Sequence, residues 1–102
     1  MNPETQIVNA IVKRLEHMRD KEGLPLWWCK MHGSAFGRAG IPDLLVSLAG
    51  FFLAIEVKTP TGKVTPIQKA MMQRIEASGA PTAVATSANE AEKVIQLLLE
   101  RQ

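Results

Sequence analysis

Asp43, Glu56 and Lys58 are the residues of this chain whose types and spacing could do chemistry together. Glu56 and Lys58 stand two apart in an otherwise apolar run, residues 51–58, FFLAIEVK. A strand alternates its side chains with period two, so both project from one face. Asp43 follows a proline and heads a second apolar run, residues 43–48, separated from the first by Ala49-Gly50. Two such runs joined by a two-residue turn form an antiparallel hairpin, which brings the start of one strand beside the end of the other. Asp43 is thereby expected next to Glu56 and Lys58. Two hard oxygen donors suit Mg²⁺ or Mn²⁺, and the carbonyl of Val57, between the two charged side chains, is a further candidate ligand. A divalent ion there would lower the pKa of a bound water and stabilise charge on a phosphate oxygen, with Lys58 orienting the water or neutralising developing charge. Phosphodiester hydrolysis needs that combination. An isolated E-x-K at a strand end is more often a solvated ion pair of little consequence. The reading therefore depends on what else converges on this point.

The elements that must position these residues can be read along the chain. Asn2-Pro3 opens a helix, with asparagine as N-cap and proline at the first helical position. Ile7, Val8, Ile11, Leu15 and Met18 form its apolar stripe, with Lys13, Arg14 and Glu16 off it. Glu4 extends the stripe by one turn with an acid, although a first-turn carboxylate facing the helix macrodipole accounts for it equally well. Gly23 and Pro25 end the helix. Residues 26–31 form a strand with Trp27 and Trp28 on opposite faces, one of them expected in the core. Residues 32–41, HGSAFGRAGI, form a glycine-rich loop. After the hairpin and a loop over residues 59–64, Thr65-Pro66 starts a helix running to about Ser78. Thr65-x-x-Gln68 fits a capping box, which explains Gln68 without catalysis. Residues 82–86 form a fourth strand, and Ser87-x-x-Glu90 is a second capping box opening a final helix, with Ala91, Val94, Ile95 and Leu98 inward. The order is αβββαβα.

The 102 residues allow one domain with one core, spanning residues 1–102. An apolar content of 46% with 22% charged residues is that of a globular protein rather than a disordered one. A net charge of +2 permits a nucleic-acid partner without arguing for one. The lone Cys29 excludes an internal disulfide and, with only His17 and His32 to join it, falls short of a structural zinc set. No signal peptide or membrane-spanning run is evident, so a cytosolic location is expected. The glycine loop matches neither a P-loop nor a dinucleotide fingerprint, and no nucleotide cofactor is expected.

G-I-P-D at residues 40–43, E-V-K at residues 56–58, Gln68 in the next helix and Glu4 in the first, with Gly37-Arg38 ahead of them, resemble the virus-type replication-repair nuclease (VRR-NUC) family, a branch of the PD-(D/E)xK nucleases. The resemblance runs from Glu4 to the final helix. It implies an α/β fold with a restriction-endonuclease-like core, a small mixed sheet flanked by helices, and a metal-dependent DNA endonuclease of repair or phage type. In that family's pattern Asp43, Glu56 and the Val57 carbonyl bind Mg²⁺ or Mn²⁺, and Glu4 joins them directly or through water. Lys58 is the catalytic lysine and Gln68 positions it or the substrate phosphate. Stand-alone members resemble homodimeric junction-resolving enzymes, so a dimeric Holliday-junction resolvase is the leading expectation. Alternatives are a monomeric flap or nick nuclease, or a catalytically silent nucleic-acid-binding subunit. Ser34, Arg38, Lys63, Lys13 and Arg14 are the candidate phosphate contacts. No recognition-helix motif offers base reading, so branched DNA would be selected by shape.

Overall fold

The computed structural model describes residues 2–31 and 39–101. Three helices and four strands follow in the order expected: α1 (Pro3–Asp20), β1 (Leu26–Lys30), β2 (Leu44–Leu48), β3 (Phe51–Val57), α2 (Pro66–Ala77), β4 (Thr82–Ala85) and α3 (Ala88–Glu100). The strands make one sheet in the order β1-β2-β3-β4. The first three pair antiparallel, and β4 joins β3 in parallel after the crossover through α2. The fold is thus α/β with a mixed sheet.

The β2–β3 connection turns on Ala49 and Gly50 at φ 52° and 87°. Positive φ at both central positions is the signature of the tight hairpin turn whose twist matches the flanking strands. It sets Leu48 against Phe51 and carries the register to Leu44 against Ile55. Every second residue then points into one core. Leu44, Val46 and Leu48 of β2 join Leu53, Ile55 and Val57 of β3 there, against Val8, Ile11, Leu15 and Met18 of α1 and Ala91 and Ile95 of α3. Arg14 of α1 and Glu92 of α3 close the seam between the two helices with an ion pair at 2.9 Å.

α1 starts as its sequence dictates: the Asn2 side chain accepts from the N–H groups of Glu4 and Thr5 at 2.7 and 3.3 Å. α2 carries the full reciprocal capping box at Thr65 and Gln68. α3 does not. Ser87 accepts from Glu90 N–H at 3.1 Å, but the Glu90 carboxylate bonds the backbone N–H and hydroxyl of Thr86 at 2.6 Å, one residue earlier than the box requires. The hydroxyl of Thr86 supplies a second donor that the Ser87 N–H alone cannot match.

Strands end earlier than the apolar runs suggest. Asp43 precedes β2 and Lys58 follows β3, yet both continue the ladders with one bond each: Met31 N–H donates to Asp43 C=O at 2.7 Å and Lys58 N–H to Ala85 C=O at 3.1 Å. Met31 and Thr86 likewise fall just outside β1 and β4. Of the two tryptophans, Trp28 packs on the core with the Arg19 guanidinium 4.9 Å from its ring centroid, and Trp27 faces outward. Among the described residues no helix is long and apolar enough to cross a membrane.

Candidate functional site

Extending the hairpin register by one residue sets Asp43 opposite Glu56, on the sheet face turned away from α1 and α3. Lys58 shares that face by strand alternation. Pro42, itself fully buried, anchors the approach to Asp43. Asp43 is then held by the neighbouring strand, its Oδ2 accepting from the Val57 N–H at 2.7 Å. Val57 therefore meets Asp43 through its N–H, where the sequence pointed to its carbonyl. No side-chain pattern could have announced that bond, since every residue but proline carries the donor.

Glu56 lies near the end of the inner strand β3, opposite Val84 of β4 as well as Asp43, and is 2% exposed. Its Oε1 is buried without a hydrogen-bond partner. Its Oε2 lies 3.9 Å from the Lys58 ammonium, close enough for charge attraction but too long for a hydrogen bond. Burial first, and then the hydrogen bond and charge of Asp43, push the Glu56 carboxyl up to about 8; Lys58 opposes the shift and Glu4 adds to it. A hydrogen bond between two carboxyl groups exists only when one holds the proton. Glu4, half-buried in the first turn of α1, reaches Glu56 only through that small charge effect, and no hydrogen bond or ion pair joins it to the described site residues.

Gln68 is held by the helix cap, not by the other site residues. Its Oε1 accepts from Thr65 N–H at 2.9 Å, while its own N–H donates to Thr65 Oγ1 at 3.2 Å. The capping role uses its acceptor, and no contact in the structure joins it to Lys58. The first turn of α2 is nonetheless pressed against the segment that delivers Asp43. Gly40 has φ 85°, and a Cβ there would lie 2.7 Å from the Ile67 carbonyl oxygen and 2.8 Å from its Cγ2. Only glycine fits this position, for both conformation and space.

Lys63 and Lys13 are exposed. The guanidinium of Arg14, a candidate phosphate contact, is already engaged with Glu92, so contact with a phosphate would break or share that pair. Ser34 and Arg38 lie outside the described residues, as does Gly37.

Among the described residues no three or more His, Cys, Asp or Glu side chains form a closed metal-binding group. The structure brings Asp43 and Glu56 together, two hard oxygen donors of the kind Mg²⁺ takes. Two carboxylates leave most positions to water and substrate, as Mg²⁺ prefers. The orphaned Oε1 of Glu56 and the repulsion between Glu56 and Asp43 are what a divalent ion would relieve.

A family model described as the VRR-NUC domain matches residues 5–89, beginning one residue after Glu4. A solved structure described as "VRR_NUC domain" is 30% identical, with 94% of this chain and 97% of that chain covered and a TM-score of 0.73. A second, described as "VRR_NUC domain protein", is 20% identical over 95% and 88% of the two chains with a TM-score of 0.71, a likeness of fold. No curated protein sequence matches the chain.

Proposed function

The chain belongs to the VRR-NUC domain family, a nuclease fold, and from that premise we propose that it is a metal-dependent endonuclease that hydrolyses phosphodiester bonds in branched DNA, acting as a homodimer on four-way junctions. The observation that carries this reading is Glu56: a buried carboxylate with one unbonded oxygen, facing Asp43 and within 3.9 Å of a buried lysine. A structural ion pair needs neither the second acid nor the orphaned oxygen.

Asp43, Glu56 and the Val57 carbonyl would hold Mg²⁺ or Mn²⁺, with Glu4 joining directly or through water. When bound, the cation supplies charge for a phosphate oxygen and acidifies a water. The Val57 N–H fixes Asp43 in one orientation, so its remaining lone pairs point to a defined place. Lys58, held at 7% exposure, presents its ammonium to the attacking water or to a non-bridging phosphate oxygen as negative charge grows there. The water oxygen bonds to phosphorus, the bond to the departing sugar oxygen breaks, and a proton ends on that oxygen. Gln68 retains its amide N–H groups for a phosphate, because the cap uses its oxygen. Lys63, Lys13, Ser34 and Arg38, with Arg14 if it leaves Glu92, would contact the backbone on either side.

Incubating the purified protein with a four-way junction, a flap, a nicked duplex and a linear duplex, each with Mg²⁺, with Mn²⁺ and with chelator, tests the reading. Symmetric cuts in the junction alone are expected, and only with metal. Preferential cutting of flap or nick would replace the junction reading by that of a monomeric flap nuclease. No cutting of any substrate would leave a nucleic-acid-binding subunit.

A further inference from the structure

Unlike α1 and α3, the crossover helix α2 buries none of its side chains fully. A crossover helix ordinarily seals the sheet beneath it. Here Val84 of β4, the strand neighbour of Glu56, stays 41% exposed. An open groove of about 430 Å³ lies between helix and strand, lined by Val64, Lys69, Met72, Gln73, Glu76 and Val84. That volume is in the range of pockets that hold small organic ligands. Because Val84 pairs with Glu56, the groove starts one strand spacing, about 5 Å, from the candidate site and on the same face of the sheet. None of the six side chains has a part in the hydrolysis described above.

Charge is graded along this groove. Lys69, Met72, Gln73 and Glu76 recur at helical spacing and make one stripe of α2. Lys69 belongs to the first turn, the end that Ile67 presses against Gly40 and the Asp43 segment. Among the described residues its ammonium has neither a hydrogen bond nor an ion pair. Glu76 stands two turns further on, about 10 Å away, and its carboxylate accepts from the Thr82 hydroxyl. Val64, Met72 and Val84 supply the apolar floor between them. We propose that the groove takes one unpaired nucleotide adjoining the scissile phosphate, an inference that rests on the nuclease reading above and gives its preference for branched DNA a physical source. Lys69 pairs with the phosphate of that nucleotide, the apolar floor covers its base, and the Gln73 amide offers a donor and an acceptor to the base edge. Glu76 repels the next phosphate, so the strand turns out of the groove after one nucleotide. Intact duplex fits poorly, because its bases stay stacked on one another and leave the floor uncovered. Extruding a base costs least where pairing and stacking are already broken, as at a branch point, so the groove discriminates against linear duplex without reading sequence.

Fluorescence anisotropy of a four-way junction and a flap, titrated in Ca²⁺ with the full chain, tests the proposal. A single abasic residue is moved through the nucleotides around the branch point, for wild type, Met72→Ala and Val84→Ala, and the cut is mapped separately in Mg²⁺. In wild type, removing the base next to the cut phosphate is expected to weaken binding about tenfold, and removing bases elsewhere much less. In both variants, which strip the floor, the same removal is expected to cost no more than about threefold, with Mn²⁺ binding by calorimetry unchanged. Lys69→Ala is expected to weaken intact and abasic DNA alike and to lower the salt slope by about 1. Should Met72→Ala not fold, Val84→Ala, at the more exposed position, decides alone. A wild type indifferent to the abasic position, or variants that keep its full sensitivity, would overturn the groove; cutting by wild type would then leave the nuclease reading standing. A wild type that cuts nothing, yet shows a base sensitivity that the variants lose, would overturn the nuclease reading and keep the groove as a nucleotide-binding site.

Discussion

Glu56 is stable in its place only when something balances it. Its ordinary pKa of 4.5 rises to about 8 in the fold, chiefly through burial and then through Asp43. Between those values the folded, metal-free protein holds a proton that the unfolded chain has released, so stability falls as pH rises through that window and is greatest below it. Thermal unfolding in chelator at pH 5, 6.5 and 8 should show that decline for this group, and Mn²⁺ at pH 8 should reverse it, because binding favours the deprotonated carboxylate. Glu56→Gln removes the buried charge. It is expected to unfold several degrees higher than wild type at pH 8 in chelator, a gain of about 1–2 kcal/mol, while losing Mn²⁺ binding. A wild-type profile no steeper than that of Glu56→Gln would contradict the burial argument. Much of this was legible in the sequence, because a two-residue turn at Ala49-Gly50 fixes the register that sets Asp43 against Glu56. The Gln68 cap was legible as Thr65-x-x-Gln68, whereas a phosphate role was not, since a side chain satisfying a helix cap and one serving a phosphate look alike as letters. The Val57 N–H was not either, because backbone donors carry no residue signature.

The hairpin and the start of α2 are the elements that hold these side chains in register, and each contains one conformational demand. Ala49 occupies φ 52° at the first central position of the turn, where asparagine or glycine is preferred. Ala49→Asn should therefore stabilise the protein by about 1 kcal/mol, seen as a rise of roughly 4–8 °C in Tm. Gly40→Ala should do the opposite. Its Cβ would meet the Ile67 backbone at 2.7 Å, which no side-chain rotation relieves, and its φ of 85° disfavours any other residue. A loss of about 2–3 kcal/mol is expected. Cleavage should fall beyond what unfolding explains, because the Asp43 segment and α2 must separate; wild-type activity below its lowered Tm would argue that this contact positions nothing. Caps and turns were readable because they depend on few local residues. The second capping box was misread because Thr86, just outside it, competes for the same carboxylate. The strands came out shorter than their apolar runs because Asp43 and Lys58 continue their ladders by a single bond each.

For the molecule as a whole, the sequence yielded the order of elements and the core of α1 and α3, both of which follow from periodicity. It did not yield the place of β4, a four-residue strand whose parallel pairing with β3 is decided by the α2 crossover rather than by its own side chains. Nor did it separate Lys13 from Arg14, neighbours that differ because only Arg14 finds Glu92 across the helix seam. Lys13→Ala and Lys63→Ala should each weaken junction binding alike across sequences and reduce the salt slope by about 1. Arg14→Ala should register mainly as a stability loss of up to about 1 kcal/mol. Equal binding losses in all three would place Arg14 on the DNA.

The claim on which the rest depends is that Asp43, Glu56 and Lys58 form one hydrolytic site. Single-turnover cleavage of a four-way junction in Mg²⁺ by Asp43→Ala and Lys58→Ala, at protein concentrations that saturate the DNA, addresses it directly. A loss of at least about a thousandfold in rate, with Tm and junction affinity close to wild type, is the predicted result. Either variant cutting the junction at the wild-type rate would contradict it.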